Sequence, residues 1–543
     1  RVCIIGCGLI GSSIARGIKK NKLATKVVSS NRSNSTNKKV IRLKIVDEAS
    51  SDIKKILSKD PKIWEKYYSP IEHKKIIGWV DLPKKTEFYM GLSNELNSYM
   101  KNFHLNNLVI IGMGGSINGA KAIYYSFPED NFKYPVKFID TVNPDLLDLL
   151  INNINFNKTL FVISSKSGTT IETITIEKIF REKYKDFGMN SSKHFLCITD
   201  KNSPLDTRAK NKEFGKKFIT NNEFGGRYSA LSEYGLISIL LENNKLQKII
   251  NNSEKYYNKL TITSKNNDAI NLGNFIYKNI IQKKNKLTFI TEKKYQELSN
   301  WIEQLLSESS GKNSNAIIPI FNEKVWNLLD YSYDRNFVLL HDSKTPSKEL
   351  KDLSTKLKHI GHQVFDLKIE DPTYIGNEFF KWQIATTYAC MKLEINPFDQ
   401  PDVESSKVNT IKLLDNNLGN IRKNILNFAS KKQPNNKVDL SNIEYLALIV
   451  FTSNFIKNES YRLEITKKYN KCVSVGIGPQ YLHSLGQLYK GATKNIFIKC
   501  LIEIPKKDFK IPTKQYTLRD LYLSQALGDL FEMDKRGIPM DII

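Results

Sequence analysis

The chain has no apolar run approaching the roughly 18 residues that a bilayer-spanning helix needs, so no membrane partner is expected. Cysteine is scarce: six in 543 residues, at Cys3, Cys7, Cys197, Cys390, Cys472 and Cys500, with no pair at C-x-x-C spacing. That scatter argues against a structural zinc site and for reduced thiols in a cytoplasmic chain. Acidic residues are outnumbered, 56 against 82 Lys and Arg, for a formal charge of +26. Such an excess invites a nucleic-acid reading. The lysines are nevertheless spread along the whole length, with no basic arm and no nucleic-acid fold signature. No nucleic-acid partner is expected; what remains is attraction for a small anionic substrate. Repeats and low-complexity tracts are missing too, and Asn/Lys-rich stretches such as 431–437 read as surface loops. The first residue is Arg1 rather than Met, which leads to the expectation of a processed or truncated product. Glycines interrupt the apolar core that follows it, so a signal peptide is not expected.

What is present begins with "RVCIIGCGLIGSSIARG". An apolar strand leads into Gly6, Gly8 and Gly11 at G-x-G-x-x-G spacing and then into a helix over 9–20. Glycines at that spacing permit a tight turn and let helix-start N–H groups approach a pyrophosphate. With a second strand at 26–30 this resembles the amino-terminal Rossmann segment of the prephenate and arogenate dehydrogenase family. Asn31, Arg32 and Ser33 stand where a NAD site places a ribose-binding acid, which leans towards NADP. A complete dinucleotide domain needs two βαβ halves, and the pattern stops near residue 57. Residues 1–57 are therefore expected to be a truncated, vestigial segment that binds no cofactor.

Beyond residue 58, short apolar strands alternate with amphipathic helix patterns: "LVIIGMGGS", "VKFID", "TLFVISSKSG" and "HFLCITD", then "KLTFITEKK", "AIIPI", "NFVLLH", "HQVFDLKI", "SVGIG" and "NIFIKCLIEI". Such alternation implies parallel sheets covered on both faces. The fold class is thus α/β: two αβα sandwich lobes, over 58–270 and 271–543, after an incomplete Rossmann-like segment.

Two strand-to-helix turns carry the first chemical signal. In "LFVISSKSGTTIETITIEKIF" the hydroxyls of Ser165, Ser167, Thr169 and Thr170 gather with free N–H groups at a positive helix start. This reads either as a phosphate cradle or as ordinary Ser/Thr capping. "IIGMGGSINGAKA" repeats the logic at Gly114, Gly115 and Ser116. Together with "EFGGRYSALSEYGL", "EQLLSESSGKNSNAIIP", "INPFDQPDVESSK" and "GPQYLHSLGQLYKGA", these stretches resemble the glucose-6-phosphate isomerase family with its sugar-isomerase (SIS) lobes. The likeness is to the isomerase half of bacterial transaldolase fusions, over 58–543.

The resemblance implies reversible aldose–ketose isomerisation of glucose 6-phosphate and fructose 6-phosphate, with no cofactor or metal. Glu308 would shuttle a proton between C1 and C2, and Arg227 would face the enediolate oxygen. His483 and Lys407 would serve ring opening. Ser165, Lys166, Ser167 and Thr170 would hold the phosphate, and Gln304, Gln400, Gly115 and Ser116 would line the sugar side. The remaining histidines, His73, His104, His194, His341, His359 and His362, read as structural. Tyr489 stands where the fusion branch shows His. Members of the family form homodimers, so a second copy of this chain is an expected partner. Two rivals stand beside this reading: an NADP-dependent prephenate or arogenate dehydrogenase, and a non-catalytic sugar-phosphate-binding regulator.

Overall fold

A computed structural model describes residues 2–5, 9–21, 23–24, 27–30, 36, 48–50 and 52–543, apart from 187, 263–266, 314–315, 324–327, 329–330, 345–347, 417–419, 433–439, 454 and 494. Strands β1 (Val2–Ile5), β2 (Val27–Ser30) and β3 (Glu48–Ser50) pair in parallel, in that order. A helix at Leu9–Lys20 follows β1 and contains Gly11. Gly6 and Gly8, and with them Asn31, Arg32 and Ser33, lie outside the described residues.

The first lobe is a five-stranded parallel sheet of β4 (Asn107–Gly112), β5 (Val136–Ile139), β6 (Thr159–Ser164), β7 (Phe195–Asp200) and β8 (Lys216–Thr220), ordered β5-β4-β6-β7-β8. Every residue of β6 and β7 is buried, because a parallel sheet carries helices on both faces; hence their unbroken apolar runs. The chain runs from β4 outward to β5 and then back across to β6. That reversal puts a crevice beyond the carboxyl ends of β4 and β6, where an open α/β sheet binds its ligands. Both glycine- and serine-rich turns sit there.

The second half holds two four-stranded parallel sheets. One, ordered β10-β9-β11-β12, contains β9 (Lys286–Thr291), β10 (Ile318–Ile320), β11 (Arg335–Asp342) and β12 (Val364–Ile369). The other, ordered β14-β13-β15-β16, contains β13 (Tyr445–Phe451), β14 (Val473–Ile477), β15 (Ile496–Ile502) and β16 (Met540–Ile542). Strands β10 and β14 lie against each other where the two sheets meet. β13, central and buried at all seven positions, is not among the expected strands. Its run "YLALIVF" lacks alternation and so reads equally as buried helix.

Between the lobes runs the helix Gln296–Ser310, buried at almost every position from Leu298 on. It packs against the helices Asn118–Tyr125, Ile375–Leu393 and Gly486–Gly491. The helix Ile375–Leu393 is buried all round, as a helix at the centre of a large protein must be. The expected boundaries separate elements that pack together. Position 57 ends the helix Asp52–Leu57, whose Ile53, Ile56 and Leu57 belong to the same core as Trp64, Trp79 and Trp382. Position 270 falls inside the helix Asp268–Ile281, which lies along Ile375–Leu393.

Candidate active site

The turn after β4 and the turn that carries Arg227 are pressed together backbone to backbone. A Cβ on Gly115 would stand 2.2 Å from the Gly226 carbonyl carbon, so only glycine fits. The Ser229 hydroxyl donates to the Gly115 carbonyl at 2.8 Å and pins the two turns. Ser116 is buried behind them, and its carbonyl accepts from Ser164 Oγ at 2.6 Å.

Arg227 is 2% exposed and spends all its N–H donors on protein acceptors. Nε donates to Ser309 Oγ at 2.9 Å, and Nη1 to Glu308 Oε2 at 2.9 Å and Gln400 Oε1 at 2.8 Å. Nη2 donates to the carbonyls of Pro397 at 2.5 Å and Asp399 at 3.0 Å. The expectation that Arg227 faces an enediolate directly is thus refined: in this structure its cation braces the base and the 396–400 loop. Lys312 shares that task, reaching the carbonyls of Asn396 at 2.5 Å and Asp399 at 2.6 Å.

Glu308 lies one helical turn after Gln304, on the same face of the Gln296–Ser310 helix. Its Oε1 accepts from Gln304 Nε2 at 3.2 Å, while Gln304 Oε1 accepts from Asn118 Nδ2 at 3.0 Å. Burial holds the Glu308 carboxyl above the ordinary range, against the opposing pull of Arg227, Gln304 and His483. A carboxylate kept basic in this way is suited to taking a proton from carbon near neutral pH.

His483 ends the turn Gln480–His483 beyond β14 and leans on the β4 loop, where a Cβ on Gly114 would lie 2.9 Å from His483 Cβ and 3.1 Å from Gln304 Nε2. Its Nε2 bonds Glu172 Oε1 at 2.8 Å, and Glu172 Oε1 also accepts from Gln525 Nε2 at 2.6 Å. Burial would depress the imidazole, but Glu172 overrides it and holds His483 above its usual value. Glu172 and Gln525 are not among the expected residues. The only hint of Glu172 is an acid in the first turn after the serine-rich loop, which reads as ordinary helix-start charge.

The serine-rich loop itself is half committed. Ser165 is buried and donates to Thr170 Oγ1 at 3.0 Å, and Thr169 N and Oγ1 bond Ser167 Oγ at 3.2 and 2.9 Å. The helix begins at Ile171, so its first N–H groups open onto this loop. Lys166 points away, paired with Asp200 and donating to Asn222 Oδ1 at 2.9 Å. Lys407 is the least enclosed of the expected residues. Its side chain is 55% exposed and pairs with Glu404 at 2.6 Å, although its charge still bears on His483. Tyr489 is buried, with its Oη 2.9 Å from Ser474 Oγ, and so is a core residue.

Among the described residues, no helix is long and apolar enough to cross a membrane and no cluster of three or more His, Cys, Asp or Glu is placed to hold a metal ion. Residues 95–320 match the family model of phosphoglucose isomerase. The glucose-6-phosphate isomerase of Mycoplasmoides gallisepticum is 24% identical over 405 residues, covering 64% of this chain and 94% of its own. That of Fusobacterium nucleatum is 26% identical over 393 residues, covering 62% and 86%. Among solved structures, a Thermus thermophilus protein described as hypothetical superposes with a TM-score of 0.56 at 22% identity over 70% of this chain and 96% of its own. A glucose-6-phosphate isomerase from Chlamydia trachomatis gives 0.52 at 18% identity, over 69% and 81%. The residues that match the phosphoglucose isomerase family model, 95–320, carry Arg227, Gln304 and Glu308 of the buried cluster between the two parallel-sheet lobes.

Proposed function

We propose that the chain interconverts glucose 6-phosphate and fructose 6-phosphate through ring opening and a cis-enediolate. The observation that carries this reading is the buried Glu308, held by Arg227 at 2.9 Å and Gln304 at 3.2 Å, with the His483–Glu172 pair on the neighbouring loop. The phosphate of the substrate would rest on the N–H groups and hydroxyls between Ser165 and Ile171, at the positive end of a helix.

His483 would move a proton between the ring oxygen and the anomeric hydroxyl, breaking the C–O bond and freeing the carbonyl. Glu172 holds the imidazole in orientation and stabilises its charged form. Lys407, whose charge bears on His483, would add positive potential there. Glu308 then takes the C2 proton; the electron pair of that C–H bond forms the C1–C2 double bond and the carbonyl oxygen becomes anionic. A proton passes from the C2 hydroxyl to the anionic C1 oxygen, which moves the negative charge to the C2 oxygen; that oxygen's electron pair then forms the new carbonyl while the C1–C2 π pair takes the proton back from the same carboxyl at C1. Arg227 keeps a permanent cation beside the developing charge.

Replacing Glu308 by Gln keeps the side chain's shape and removes its ability to accept a proton. A coupled assay of fructose 6-phosphate isomerisation is expected to lose about 100-fold to 10,000-fold in turnover, with sugar-phosphate binding largely kept. Near-normal turnover would remove Glu308 from the base role.

A further inference from the structure

The long C-terminal helix Leu518–Lys535 touches the site through one face. Asp529, on that face, is fully buried and takes donors from three different elements. Its Oδ1 accepts from Ser406 Oγ at 2.6 Å and from the Lys490 ammonium, which is itself fully buried; its Oδ2 accepts from Tyr481 Oη at 2.5 Å. Lys490 also donates to Ser406 Oγ at 3.1 Å, closing the network. One turn earlier on the same helix stands Gln525, the residue that donates to Glu172 and so steadies the partner of His483.

Two of the donors to Asp529 are neighbours of the two expected ring-opening residues. Ser406 precedes Lys407 on the helix Glu404–Asn416, and Tyr481 lies two residues before His483 in the same short turn. The helices Glu404–Asn416 and Leu518–Lys535 are in close contact, with room only for glycine at position 528: a Cβ there would lie 2.8 Å from Thr410 Oγ1. The Asn409 side chain donates to the Gly528 carbonyl at 3.3 Å. Nothing in this network reaches Glu308 directly.

We infer that Asp529 is a positioning residue for ring opening: through Tyr481, Ser406 and Lys490 it holds the His483 turn and the Lys407 helix in register, while Gln525 on the same helix holds Glu172. The inference rests on the isomerase reading above. Its mechanical basis is that a carboxylate with three donors, sealed from water, has no alternative partner to drift to. Displacing either element by about 1 Å would spoil proton transfer at the ring oxygen and leave the phosphate loop and Glu308 in place.

The test separates ring opening from the later proton shuttle. At chemical equilibrium, NMR exchange spectroscopy reads the α–β anomer exchange of glucose 6-phosphate, which requires only ring opening. Solvent deuterium entering at C2 reads the proton shuttle. Binding is read with sorbitol 6-phosphate, which has no ring to open. Tyr481→Phe removes one bond to Asp529 without changing the packed volume, and Asp529→Asn breaks the hub. Both are expected to slow anomer exchange about 10-fold or more while sorbitol 6-phosphate affinity stays within about twofold. Asp529→Asn leaves Lys490 buried without its counter-ion, so if that variant does not fold, Tyr481→Phe carries the test. Anomer exchange unchanged in the folded variants would overturn the inference. So would equal losses of anomer exchange and sorbitol 6-phosphate binding, which mean general loosening. A parent chain that neither exchanges anomers nor incorporates deuterium would instead overturn the isomerase reading on which the inference stands.

Discussion

Adding a single methyl group at Gly115 would separate the two turns that build the site. The Cβ of Gly115→Ala would lie 2.2 Å from the Gly226 carbonyl carbon and 2.3 Å from its oxygen. Both are backbone atoms, so no rotamer change relieves the contact. Ordinary packing begins near 3.4 Å, so the turns must part by about 1.2 Å, the difference between 3.4 and 2.2. That shift would strain the Ser229–Gly115 hydrogen bond and move Arg227, which follows Gly226 and anchors Glu308. Forced overpacking of this kind costs about 1–3 kcal/mol of stability. A misplacement near 1 Å at the reacting groups costs about 100-fold in turnover. The comparison variant is Gly91→Ala, inside the helix Thr86–Asn102, where a Cβ meets nothing within 4 Å. There, higher helix propensity should stabilise the chain by up to about 1 kcal/mol with turnover unchanged. Urea titration and the fructose 6-phosphate assay on both variants check this. A Gly115→Ala protein with parental stability and turnover would refute the claim that these turns are in forced contact.

Three other outcomes follow from the geometry. Replacing Ser165 and Thr170 together by Ala should weaken phosphorylated-sugar binding by about 1–3 kcal/mol, the scale of hydrogen bonds to a charged group, and blunt competition by inorganic phosphate; unchanged affinity and competition would return the loop to plain helix capping. Glu303, one residue before Gln304, has its carboxyl pushed up to about 8 by burial, against the pull of Arg462. The folded chain therefore binds a proton that the unfolded chain releases above its ordinary value of about 4.3, so stability should fall as pH rises from there to about 8, by up to about 1.4 kcal/mol per pH unit. Glu303→Gln should flatten that slope, and parallel denaturation profiles for parent and variant would sink the argument. Finally, a chain lacking residues 1–50 should keep isomerase activity, whereas one lacking 1–57 should be several kcal/mol less stable, because it also loses buried Ile53, Ile56 and Leu57. Equal thermal melts for the two truncations would contradict the packing of that helix, and micromolar binding of NADP or NAD by the full chain would show that the opening segment has its own role.

Some of this was legible in the residues alone. The turns after β4 and β6 announced themselves because turn chemistry is local: Gly114, Gly115 and Ser116 follow one apolar strand, and Ser165 to Thr170 follow another. The alternation of strands and helices was likewise sufficient to indicate parallel sheets, since each strand buried on both faces must be an apolar run. Resemblance in spaced motifs then pointed to Glu308, Arg227, Gln304 and His483, and the fold gathers them between the lobes. Only tertiary structure decided their states. Glu172 and His483 stand 311 positions apart, and the acceptors of Arg227 lie up to 173 positions away along the chain. No periodicity encodes such pairings, because they depend on which carboxyl ends of which strands the sheet order brings to one crevice. The same holds for Lys407, left 55% exposed beside Glu404, and for Tyr489, turned into the core towards Ser474. A side chain's type is written in the sequence; whether it is buried, paired or charged depends on neighbours that only the folded chain supplies.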